Sequence, residues 1–146
     1  FRDFLKMYEY HAIVRISADS PLLDYITLVK MINLFLKNNF DIVTNVFPKT
    51  FPSGQSIEII DRNCFLNLPS NKLNKSQKEH VTKYFYENKK FYNIFNVTCD
   101  YSHSNIKLSV DTLDDFEKLK KALSYRKINE NSSINEILEN WNDINE

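Results

Sequence analysis

The sequence predicts one α/β domain with a mixed, mostly parallel sheet. Two observations lead there. Short β-branched runs alternate with segments of helical periodicity along the chain. The 146 residues, 42% of them hydrophobic, suffice for one core and are too few for two.

The elements follow in order. Phe1 to Tyr10 reads as a helix, with Phe4, Leu5 and Tyr8 at helical spacing. His11 to Ile16 is a β-branched run suited to a buried strand, ended by the polar turn Ser17-Ala18-Asp19-Ser20-Pro21. From Tyr25 to Asn38 the apolar positions Ile26, Val29, Ile32, Leu34, Phe35 and Leu36 predict a helix closed by Asn38-Asn39. Asp41 to Val46 is a second strand, Phe47 to Gly54 a loop with two prolines, and Ser56 to Ile60 a third strand, followed by a short helix from Asp61. Ser76 with Glu79 has the spacing of a capping box and predicts a helix over Gln77 to Glu87. Phe91 to Val97 and Ile106 to Val110 are read as strands. Thr112 and Asp115 cap a helix over Leu113 to Leu123, and a last helix begins near Ser133, with Glu136 at its capping-box position. The one linker-like stretch is Arg126 to Ser132.

Charge and cysteine usage narrow the function. Nineteen basic and nineteen acidic residues cancel, so no whole-chain field attracts nucleic acid or an anionic membrane. Cys64 and Cys99 stand far apart without metal-ligand spacing, which fits a reducing, cytoplasmic setting better than a zinc site or a disulfide. No apolar run reaches transmembrane length. The chain opens on Phe1 in what already reads as a helix, and it holds a single glycine, Gly54. Both suggest an incomplete product without a glycine-rich phosphate cradle.

Several residues can carry chemistry. Asp19 and Asp111 each end a predicted strand, where open α/β sheets place ligands, and two carboxylates there can share one Mg²⁺. Taken alone, an Asp before Ser-Pro or before Thr is more often a turn former or helix cap. Arg15, inside an apolar run, lines a site or pairs with an acidic neighbour. Asn45 can reach the same sheet edge, or simply form a turn. Gly54, among small polar residues in the loop Thr50 to Glu58, suits close contact with a ligand or a tight turn. Glu79 and His80 offer a carboxylate and an imidazole for sugar hydroxyls or proton transfer. The aromatic stretches Tyr84-Phe85-Tyr86 and Phe91-Tyr92 read as core rather than as a stacking surface.

Four segments occur in a telling order: Val14-Arg15-Ile16-Ser17-Ala18-Asp19-Ser20-Pro21-Leu22, Thr50-Phe51-Pro52-Ser53-Gly54-Gln55-Ser56-Ile57-Glu58, Lys78-Glu79-His80-Val81-Thr82 with Tyr84-Phe85-Tyr86, and Leu108-Ser109-Val110-Asp111-Thr112 with Asp115-Phe116. Together they resemble the spore-coat polysaccharide branch of the acylneuraminate cytidylyltransferase family, over nearly the whole chain. The resemblance implies a Rossmann-like nucleotide-diphospho-sugar transferase fold, here without its N-terminal CTP-gripping loop. It implies CMP transfer from CTP to a sugar or sugar acid with release of pyrophosphate. It further implies Mg²⁺ as cofactor on Asp19 and Asp111, and substrate contacts from Gln55, Glu58, Glu79 and His80; Arg15, Ser20, Asn45 and Gly54 complete the expected substrate-binding set. A homodimer is a further expectation. Lys83 and Lys107 depart from the family pattern, which often has proline and arginine there. The chain alone, without the CTP-gripping loop, is expected not to turn over. A non-catalytic sugar- or partner-binding remnant is the alternative, and a sugar transferase with an Asp-x-Asp motif is disfavoured because no such motif occurs.

Overall fold

The computed structural model describes residues 2–80, 82–100, 102–124, 128–129 and 131–145. Phe1, Val81 and parts of the expected linker Arg126 to Ser132 lie outside the described residues. Helix α1 (Arg2–Met7) leads into strand β1 (Ala12–Arg15), helix α2 (Tyr25–Lys37), β2 (Ile42–Thr44) and β3 (Glu58–Asp61). Short helices α3 (Arg62–Leu66), α4 (Lys75–Glu79) and α5 (Lys83–Glu87) precede β4 (Ile94–Asn96), and α6 (Leu113–Ser124) and α7 (Ile134–Asn145) close the chain.

The sheet runs β1-β3-β2-β4, with β3 antiparallel to both β1 and β2, and only β2 and β4 parallel. The sheet is mixed as expected, but two of its three strand pairings are antiparallel, which corrects the expectation that it is mostly parallel. Parallel neighbours need a crossover, and β1 and β2, joined through α2, do run the same way. The loop from Asn45 to Ile57 then returns β3 between them, which turns both contacts antiparallel.

Local chemistry explains the boundaries. Asp24 caps α2 by accepting from Ile26 N at 2.9 Å and from Thr27 Oγ1 at 2.7 Å. The helix buries Met31 and Thr27, while Ile26, Val29 and Leu36, which the periodicity assigned to its apolar positions, are exposed. Asp61 caps α3 through Cys64 N at 2.8 Å. The expected Ser76–Glu79 box is replaced by Asn74 and Gln77, each side chain bonding the other's backbone N–H at 2.9 and 3.0 Å. That helix ends at His80, and α5 starts afresh at Lys83 rather than continuing it. Ser133 and Glu136 do form their box at the start of α7.

Ile106 to Val110 is a strap rather than a strand. Its backbone bonds Ser53 twice (Ser53 N to Ile106 O and Leu108 N to Ser53 O, both 2.9 Å), then Val110 N donates to Asp19 O at 2.9 Å. No ladder extends from there because Gly54, at φ 89°, turns its chain away, so Gln55 N bonds Pro52 O at 3.3 Å and Val110 N goes to Asp19 instead of to Gln55. The main core, around Val43, Ile57, Ile59, Leu108, Ala122 and Ile137, lies beneath this strap. It also takes in Ile128 from the expected linker.

Candidate functional site

One cross-strand row organises the site. Arg15 on β1 lies opposite Glu58 on β3, Glu58 opposite Thr44 on β2, and Thr44 opposite Asn96 on β4, so four polar side chains stand in line across the sheet. Glu58 is only 2% exposed. A carboxylate so buried must be paired. Its Oε2 accepts from Arg15 Nη1 at 2.5 Å, and its Oε1 accepts from the Tyr86 hydroxyl. That hydroxyl also lies 3.0 Å from Thr44 Oγ1. The Tyr86 ring stacks on Phe47 at 4.7 Å, and Lys89 Nζ sits 5.5 Å from the centre of the Phe47 ring. Burial first, and then the Glu58 charge, push the Tyr86 phenol well above its ordinary value, so it stays a donor. Above this row opens a groove of about 310 Å³ lined by Ser17, Lys49, Ser56, His80 and Thr82 together with Arg15 and Tyr86.

Four residues beyond Arg15, the strap crosses the chain at Asp19. Val110 N–H donates to Asp19 O, which sets Asp111 one residue past the crossing, and both aspartates are exposed. Ser20 Oγ holds Asp19 Oδ1 at 3.0 Å, and Ser109 Oγ holds Asp111 Oδ2 at 3.2 Å. Lys107 Nζ lies 2.9 Å from Asp111 and 2.6 Å from Asp115. The Lys107 contact is the main cause that lowers the carboxyl pKa of Asp111, and Asp115 is held far below the usual range, again chiefly by Lys107. Both carboxylates are therefore ionised. Two exposed carboxylates are hard oxygen donors of the kind Mg²⁺ takes while keeping water and phosphate oxygens in its shell. Among the described residues no cluster of three or more metal-ligating side chains occurs. Two carboxylates alone would leave most of such an ion's shell to water and phosphate oxygens.

Other expected site residues do different work. Asn45 is fully buried, donating to Gln55 O at 2.6 Å and accepting from Ile57 N at 2.8 Å. Gln55 is 1% exposed and clamps Asp24 N and Leu22 O. In this structure neither offers a polar atom to the groove; they hold the loop that delivers Glu58. Gly54 makes its close approach to the chain itself, since a Cβ there would stand 2.7 Å from Ser109 N. Glu79 ends α4 in solvent and is not among the groove-lining residues, whereas His80 is. Tyr86 and Thr44 escaped the sequence reading. Within Tyr84-Phe85-Tyr86 only Phe85 is fully buried, and Tyr86 turns its hydroxyl to the sheet.

Two known proteins resemble this chain. The structure matches that of a cytidylyltransferase from Leptospira borgpetersenii with a TM-score of 0.88 and 31% identity, over 97% of this chain and 60% of that one. The chain is similar to a cytidylyltransferase. An uncharacterized protein of Methanocaldococcus jannaschii is 34% identical over 119 residues, which are 80% of this chain and 48% of that protein. The chain thus spans about half the length of this curated relative. No family model matches it. Among the described residues no helix is long and apolar enough to cross a membrane.

Proposed function

We propose that the protein is a nucleotidyltransferase that moves CMP from CTP to a sugar or sugar acid, as in the making of surface or spore-coat polysaccharides. The observation that carries this reading is the Asp19–Asp111 crossing, four residues along the chain from Arg15 of the groove, in a fold similar to a cytidylyltransferase.

In this reading the sugar lies in the groove. Ser17, Ser56 and Thr82 offer hydroxyls to it, and Arg15 and Lys49 offer positive charge. Glu58 also lines the groove, and with both oxygens committed it acts by aiming Arg15. The sugar hydroxyl oxygen forms a bond to the α-phosphorus of CTP as the bond to the β-phosphate oxygen breaks, and pyrophosphate leaves with that electron pair. His80, which lines the groove, receives the hydroxyl proton in this reading. Asp19 and Asp111 would hold Mg²⁺, which when bound supplies charge neutralisation on the phosphates. Calorimetric titration with CTP in MgCl₂ tests the assignment. Saturable binding that disappears in the Asp19→Asn, Asp111→Asn variant, with an unchanged circular dichroism spectrum, is expected. Equal binding in that variant contradicts it.

A further inference from the structure

We propose that Lys107 is a resident counter-cation that competes with a divalent metal for Asp111, so that the aspartate pair binds free metal weakly and takes it chiefly together with nucleotide. This rests on the metal-pair reading above. The ammonium has two partners of unequal standing. Asp115 is 2.6 Å away, and the same oxygen accepts from Asp111 N at 3.1 Å and from Thr112 N and Oγ1 at 2.9 Å, so the start of α6 fixes it. Asp111 is 2.9 Å away and is also oriented by Ser109 Oγ. Lys107 is thus anchored on Asp115 and lends its charge to Asp111. Removing it leaves Asp111 in place.

The Asp115 contact keeps the ammonium near Asp111, and the root of the side chain is fixed. The Lys107 backbone pairs with Ser53, Leu108 N donates to Ser53 O, and Gly54 presses against Leu108 and Ser109. A divalent ion on Asp111 therefore sits within about 5 Å of a unit positive charge, where the repulsion in water weakens its binding by roughly tenfold at low salt. Nucleotide phosphates bring the negative charge that offsets it. The pair then accepts a metal–nucleotide complex in preference to the bare ion, and Lys107 retires onto Asp115.

The test is Mn²⁺ titration of the chain, with free ion read by electron paramagnetic resonance, for the wild type, Lys107→Met, Lys107→Arg, and each of the first two combined with Asp111→Asn. Lys107→Met is expected to bind Mn²⁺ about tenfold more tightly at low salt, with the gain shrinking as salt rises. Lys107→Arg, which keeps the charge, is expected to stay within about twofold of the wild type. Equal or weaker binding by Lys107→Met overturns the competition, while loss of binding with Asp111→Asn leaves the metal pair standing. Absence of Mn²⁺ binding from both wild type and Lys107→Met overturns the metal pair and this inference with it. Binding that appears only on Lys107→Met supports the inference.

Discussion

Breaking the Arg15–Glu58 pair from its two sides should have unequal costs. In Glu58→Gln the amide accepts through one oxygen only, so one of its two donors, Arg15 Nη1 or the Tyr86 hydroxyl, loses its acceptor. Hydrogen bonds to charged groups contribute about 1.5–3 kcal/mol, and the Arg15 side chain, one-third exposed, recovers part of this from water. The expected loss is about 2 kcal/mol, a fall in the urea midpoint of about 1 M for a slope near 2 kcal/mol/M. Arg15→Met instead leaves the Glu58 carboxylate, 3% exposed at the side chain, without its cation, which costs about 3–5 kcal/mol. Adding Glu58→Gln to Arg15→Met should then restore stability, because it removes the orphaned charge. Urea unfolding followed by circular dichroism on the three variants reads this directly. The reasoning fails if Arg15→Met is no more destabilised than Glu58→Gln, or if the double variant is less stable than Arg15→Met.

Two more outcomes follow from single residues. Gly54→Ala should lower stability by about 2–4 kcal/mol in the same unfolding assay, from a Cβ 2.7 Å from Ser109 N and a φ of 89° that L side chains rarely adopt. The Cys64 thiol is pushed up to about 12, chiefly by burial and then by Asp41 and Asp61, so at pH 8 its thiolate population should be roughly a thousandfold below that of a thiol at 9.0. Iodoacetamide labelling mapped to Cys64 should be correspondingly slow in the folded protein. It should recover in urea and rise as pH climbs toward 12.

Much of the fold was legible because its signals are local. β1 and β2, the helix α2, and the caps at Asp61, Thr112 and Ser133 each rest on a few neighbouring residues. The order of the sheet was not, since nothing near Ser56 to Ile60 announces that this strand inserts between two others. Ile106 to Val110 has the composition of a strand, yet its neighbour in space turns away at Gly54 and cannot continue a ladder. At the site, Arg15 stood out as a charge in an apolar run, and its pairing with Glu58 follows from the expense of burying either alone. Asn45 and Gln55 were misleading because an amide that binds its own loop has the same residue type as one that binds a ligand. Tyr86 was hidden among aromatics, and only the helix geometry separates its face from that of Phe85.

Pyrophosphate release from CTP with a panel of sugars and sugar acids, measured on the complete natural protein that contains this chain, tests the central claim most directly. The account predicts release with CTP and at least one such acceptor, reduced at least a hundredfold by Asp19→Asn or Asp111→Asn on a fold that circular dichroism shows unchanged, an effect on the order of those expected for lost electrostatic stabilisation. Release that survives both substitutions, or that depends on neither the acceptor nor CTP, contradicts it.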